Sequence, residues 1–295
     1  MTTATDPHHP VVADALAQRA DLILRHPGIF APSSAGRLKA AAIAMALLGL
    51  FIFGMIELGF SITKMITGLG QLGVTIAHMM PPSTGTWAKF WLYLHALAET
   101  VAIAFLGVMT AAILALPFGF LAAKNVIPNW IVHVLARRFL DTVRGVDELI
   151  WALIWVSVVG LGPFAGVLAL VTANFGAFGK LFSEAIETAD RKAGEGILSA
   201  GGNGLHVAHF ALLPQILPVI GSQVLYYFES NTRSATIIGI VGAGGIGLHL
   251  AEQIRVLEFQ HVSALILMIL VTVAAIDQVS SRLRFALIGE AGRGR

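Results

Sequence analysis

The 295-residue chain carries 19 Lys and Arg against 17 Asp and Glu, with 56% hydrophobic and only 12% charged residues. That charged share is about half of what a soluble domain carries, and the mean hydropathy of +0.80 points the same way. The balance excludes a disordered chain and a soluble nucleic-acid binder, and it leaves a polytopic, all-α membrane protein.

The absence of Cys rules out disulfides, thiolate metal sites and a Cys nucleophile. The first ten residues are polar and the first apolar run begins late and is long, which does not fit a signal peptide. Residues 1–37 therefore read as a cytoplasmic tail with a surface helix over Val11 to Leu24. About six spans follow, each near the roughly 20 apolar residues that a bilayer requires. The first runs from Leu38 to Phe60, and its outer loop completes a region over 38–93. The second runs from Leu94 to Ala123, with a kink expected at Pro117. The third begins near Val146 and stops at Gly160-Leu161-Gly162-Pro163. The fourth covers Phe164 to Phe182. Since the third and fourth are short, a single broken pair is an open alternative. The fifth follows Pro214 to about Phe228, and the last runs from Val262 to about Val279. Residues 94–283 thus form the membrane core, and 284–295 a basic tail.

Six crossings put both termini on one side. With that side inside, only Lys64, Lys89, Arg233 and Arg255 fall outside among the 19 Lys and Arg. The asymmetry predicts cytoplasmic termini and a cytoplasmic loop over 183–213. Glu184, Glu187, Asp190 and Arg191 are spaced for a helical surface. Gly201 and Gly202 break that helix, Asn203-Gly204 turn the chain, and Leu205 to Leu213 form a second short helix closed by Pro214.

Within this loop Glu195-Gly196-Ile197, Gly201, Ala211 and Leu213-Pro214 stand in a register that resembles the "EAA" loop of permeases of ATP-binding-cassette importers. That pattern is Glu-Ala-Ala, three residues, Gly, nine residues, Ile, one residue, Leu-Pro. The Glu, Gly, Leu and Pro match; both Ala positions and the Ile depart. Further segments resemble the phosphonate importer permeases. These are Asp141-Thr142-Val143-Arg144 with Glu148 to Leu153, Val159 to Gly166, Gly179 to Glu187, Arg233 through Gly247, and Ile276-Asp277-Gln278.

The resemblance implies a type I importer permease architecture in a bacterial inner membrane. It also implies a separate ATPase that holds ATP and Mg²⁺, an extracytoplasmic phosphonate-binding receptor, and a second permease chain, expected as a homodimer. No cofactor and no catalytic residue are expected in this chain. The loop is expected to couple to the ATPase through Asp190, Arg191, Glu195, Gly201, Leu213 and Pro214. In that scheme Gly201 permits a bend where a side chain would clash, and Glu195 either pairs with a base on the ATPase or caps its own helix.

A phosphonate path must offset negative charge in a low dielectric. Glu229, Ser230, Asn231 and Arg233 belong to the densest polar cluster near an apolar segment, and a guanidinium fits oxyanions in pairs. The competing reading is that Arg233 pairs with Glu229 four residues earlier on the same helix face. Among the other acids in or beside spans, Glu99 reads as structural at a helix end, Asp277 as a partner of Arg282 or Arg284, and Glu57 stays open.

Three motifs imitate chemistry. Gly242-Ala243-Gly244-Gly245-Ile246-Gly247 spells a dinucleotide fingerprint, but it lies between spans and not in a βαβ unit. Gly179-Lys180 lacks both the preceding Gly and the following Ser or Thr of a phosphate loop. His206 and His209 lack a third metal ligand. Two alternatives remain beside the importer: a gradient-driven transporter or channel using buried acids, and a membrane-embedded enzyme, for which no catalytic cluster appears.

Overall fold

The computed structural model describes residues 34–127 and 129–293. The expected helix over Val11 to Leu24 lies outside these residues. The described residues are helical throughout, joined by turns. The chain divides into two compact units, residues 1–73 and 74–295.

In the first unit, α1 (Ser34–Glu57) is apolar all round and long enough to span a membrane. Gly59, at φ +61, turns the chain out of it. Helix α2 (Ile62–His78) then places Ile62, Met65, Ile66 and Leu69 along one edge and Thr63, Lys64 and Thr67 along another. The sequence gives no clear helix signal here, because the segment is glycine-rich and only half apolar.

The second unit is built on α3 (Trp87–Ala122) and α6 (Pro163–Thr188). A β-carbon added at Gly107 would lie 2.6 Å from the Leu170 Cβ, and one added at Gly119 2.8 Å from the Phe182 Cβ. The Lys124 N–H donates to Glu187 at 2.9 Å. All three pairs are 63 residues apart in sequence, so the two helices run parallel in close contact. Glycines at the contact let the backbones approach without interhelical hydrophobic drive.

Two parallel crossings require one intervening crossing in the opposite sense. Helix α5 (Glu148–Val159) has 12 residues, about 18 Å at 1.5 Å per residue, against a hydrocarbon core of about 30 Å. It cannot cross alone. The crossing is completed by α4 (Trp130–Arg144), which packs on α6 where Leu140 and Arg144 meet Gly176. Each half has its own start: Asn129 accepts from the Ile131 and Val132 N–H groups, and Asp147 from that of Leu149. Five helices among the described residues are long and apolar enough to span, and the α4–α5 pair supplies the remaining crossing. The expected third span is therefore corrected: it is the second half of a broken crossing, and its break is at Gly145–Asp147, whereas the turn at Gly160–Pro163 separates it from α6.

Helix α8 (Gly204–Ile240) returns antiparallel to α3. Its Ile216 and Ile220 pack with Ala123, Phe178 and Phe182, and its Ala235 and Ile238 with Ile103 and Ala104. It continues well beyond the expected end at Phe228. The Gly242–Gly247 turn joins it to α9 (Ile246–Arg255), and there the Gly245 and Ile246 N–H groups donate to Glu99 and the Thr100 hydroxyl, both at 2.8 Å. Those amides are thereby satisfied within the chain, so the turn is a packing device and offers no phosphate cradle. Helix α10 (Phe259–Arg293) closes the unit, with the Ser280 hydroxyl donating to the Leu225 carbonyl at 2.9 Å.

Candidate functional site

The loop between α6 and α8 is a compact helix–turn–helix. Asp190 caps α7 (Arg191–Ser199), its carboxylate accepting from the Lys192 N–H at 3.0 Å. The helix ends in a Schellman motif. The Gly202 N–H donates to the Ile197 carbonyl and the Gly201 N–H to that of Leu198. Gly201 sits at φ +85, yet a β-carbon there would meet nothing within 4 Å. The expectation of a clash at Gly201 is therefore corrected: glycine is demanded by the left-handed backbone, not by space. The crowded position is Gly202, where a β-carbon would lie 2.6 Å from the Ile197 Cγ2.

Asn203 opens the next helix with a capping box. Its side chain accepts from the His206 N–H at 3.1 Å, while the His206 Nδ1 accepts from the Asn203 N–H at 3.2 Å. His206 is thus a cap, and no group of three metal-ligating side chains occurs among the described residues. The expected second short helix is also corrected. Gly204 to Ile240 is one helix, in which a π turn over Val207–Leu212 leads directly into Leu213 and Pro214. The π turn widens the spiral just ahead of a proline that has no N–H to donate, and the helix continues through both without a break.

Two connections missed by the sequence reading hold this loop. The Gln215 amide oxygen accepts from the Asp190 N–H at 2.9 Å, and its amide nitrogen donates to the carbonyls of Asp190 and Ala211 at 3.3 and 2.9 Å. Glu187, at the root of the loop, accepts from the Lys124 N–H and from Arg137, both at 2.9 Å. Only an amide side chain just after Leu-Pro, in an apolar run, hinted at the first. Arg191, Glu195 and Pro214 are exposed. A groove of about 350 Å³ between the loop and the end of α3 is lined by Lys124, Asp190, Arg191, Glu195, Leu198 and Leu212 among others.

The polar cluster of α8 does not converge on one point. Glu229 and Arg233 lie on one face, 3.6 Å apart, but the shorter partner of Glu229 is Arg284 of α10, at 3.0 Å. Glu229 is buried, Arg284 less so, and Arg233 is mostly exposed. Asn231 points the other way, into a reciprocal amide pair with Asn174 of α6 at 2.9 and 3.1 Å. Ser230 is half-buried. The site therefore comprises an inter-helix ion network on one face and an amide lock on the other.

Residues 115–287 match the family described as binding-protein-dependent transport system inner membrane component. The chain is 34% identical to the phosphite transport system permease protein PtxC of Stutzerimonas stutzeri, over 94% of this chain and 98% of that protein. It is 40% identical to the phosphate-import permease protein PhnE of Mycolicibacterium smegmatis, over 65% of this chain and 36% of that protein. In structure it resembles the MetNI methionine ABC transporter in an inward-facing conformation, with a TM-score of 0.59 at 18% identity, covering 68% of this chain and 99% of that one. That likeness shows the importer-permease fold. By sequence and by fold, the chain belongs to the family of binding-protein-dependent transport inner membrane components and is a multi-pass permease.

Proposed function

We propose that this permease conducts phosphonates or related phosphorus oxyanions inward, driven by ATP hydrolysis on a separate subunit that it engages through Asp190–Pro214. The observation that carries the substrate class is the end-to-end similarity to a phosphite transport permease. The coupling role is supported by the build of the loop: a capped exposed helix, a fixed left-handed turn, and an unbroken helical connection to α8. An exposed Glu195 on α7 is free to pair with a base on the ATPase. ATP and Mg²⁺ belong to that partner, and substrate arrives from an extracytoplasmic receptor. Two copies of this chain form the path, with both termini cytoplasmic.

Arg233 is the path residue. Its exposed guanidinium is only loosely held by Glu229, so it can exchange that carboxylate for a passing oxyanion. Glu229 and Arg284 set the position of that guanidinium, Ser230 lies beside it, and Asn231 anchors the helix to α6. The test is uptake by vesicles containing the permease, its ATPase and its receptor, with phosphonate, phosphite and phosphate offered separately. ATP-dependent uptake of at least one supports the reading; uptake of none, with the receptor loaded, refutes it.

A further inference from the structure

A second basic site lies away from the polar cluster of α8. A cavity of about 320 Å³ is lined by Lys124, Trp130, His133, Val134, Arg137 and Arg138. A neighbouring one of about 300 Å³ shares Arg137 and Arg138 and adds Asp141 and Lys180. Across the two, four cations face two carboxylates, since Glu187 is bound to Arg137 and Asp141 to Lys180. The Lys124 ammonium makes no ion pair among the described residues, and Arg138 holds Asp141 only at 3.5 Å, with its side chain 78% exposed. His133 is 6% exposed, and its Nδ1 has no hydrogen-bond partner among the described residues. The site thus combines excess positive charge with an unanswered buried polar atom in its wall.

The surroundings identify the ligand. On α4, next to the cavity, Trp130, Ile131 and Leu135 are exposed. In a membrane protein such an edge faces acyl chains, and an exposed Trp marks the headgroup level. We propose that the cavity binds the phosphate of an anionic phospholipid, with its chains along Ile131 and Leu135. Lys124 also lines the groove of the coupling loop, so a bound lipid touches the root of that loop. The inference rests on the chain being membrane-embedded and not on the identity of the transported solute.

The test uses the purified full-length chain in detergent and native mass spectrometry. Phosphatidylglycerol and phosphatidylcholine of equal chain length are added separately, and inorganic phosphate serves as competitor. Phosphatidylglycerol should be retained preferentially and should withstand millimolar phosphate. The double variant Lys124→Gln, Arg138→Gln should retain it about thirtyfold less well, from two lost cation contacts near the surface. Lys124→Arg with Arg138→Lys should retain it. Both positions are exposed, and an unchanged melting temperature of the double variant establishes that the fold is intact. Equal retention of the two lipids, or undiminished retention by the double variant, overturns the proposal. Displacement by inorganic phosphate overturns it too, by making the cavity a free-oxyanion site.

Discussion

Gly201 offers the sharpest separation of backbone from side-chain effects. Its φ of +85 lies where L-residues are disfavoured, and its absent β-carbon has no neighbour within 4 Å. Substitution therefore acts through conformation alone. Ala should cost about 1–2 kcal/mol, which lowers the population of the closed turn by about five- to thirtyfold. Val should cost more, because β-branching makes positive φ a severe outlier. Asn tolerates this region and should cost least. The assay is paired uptake and ATP hydrolysis in vesicles containing permease, ATPase and receptor. Transport per ATP hydrolysed should fall in the order Gly, Asn, Ala, Val, with the chain still inserted. If Gly201→Asn uncouples as badly as Gly201→Val, the glycine is needed for approach of the partner and the conformational argument fails. If Gly201→Val transports normally, the loop has no coupling role.

Replacing Gln215 with Leu removes three hydrogen bonds that tie Asp190 and Ala211 together. At about 1 kcal/mol each, this should loosen the loop and lower coupled uptake, while the melting temperature falls by a few degrees. Among the charges of the α8–α10 contact, Arg284→Ala should destabilise by about 2–3 kcal/mol, because it leaves the buried Glu229 with only the longer pair to the exposed Arg233. Arg233→Ala should cost little stability but should reduce uptake, and thermal unfolding beside a transport assay separates the two. Gly119→Val forces side-chain atoms against Phe182 and should cost about 1–3 kcal/mol, visible as a lower unfolding temperature in detergent.

Much of the membrane core was legible because lipid imposes a simple code. Helices α1, α3 and α10 announce themselves as long apolar runs with few charges. The broken crossing was not legible, because α4 carries Arg137, Arg138, Asp141 and Arg144 and reads as an aqueous segment. Only its packing on Gly176 and the parallel run of α3 and α6 reveal its place. In the loop, the spacing of Glu195, Gly201 and Pro214 was visible locally. The partners that hold it were not: Gln215 reaches Asp190 across 25 residues, and Glu187 reaches Lys124 across 63. The cluster from Glu229 to Arg233 looked like one site in sequence. A turn of 100° per residue sends Asn231 to the opposite face, where Asn174 waits, and the third member of the ion network, Arg284, is 55 residues away.

Under the proposed function, this permease moves solute only when a partner hydrolyses ATP. The most direct measurement compares vesicles holding the permease alone, under an imposed proton or sodium gradient, with vesicles that also contain the ATPase, the loaded receptor and ATP. Accumulation of a phosphorus oxyanion only in the second set is the predicted result. Gradient-driven accumulation by the chain alone would contradict it.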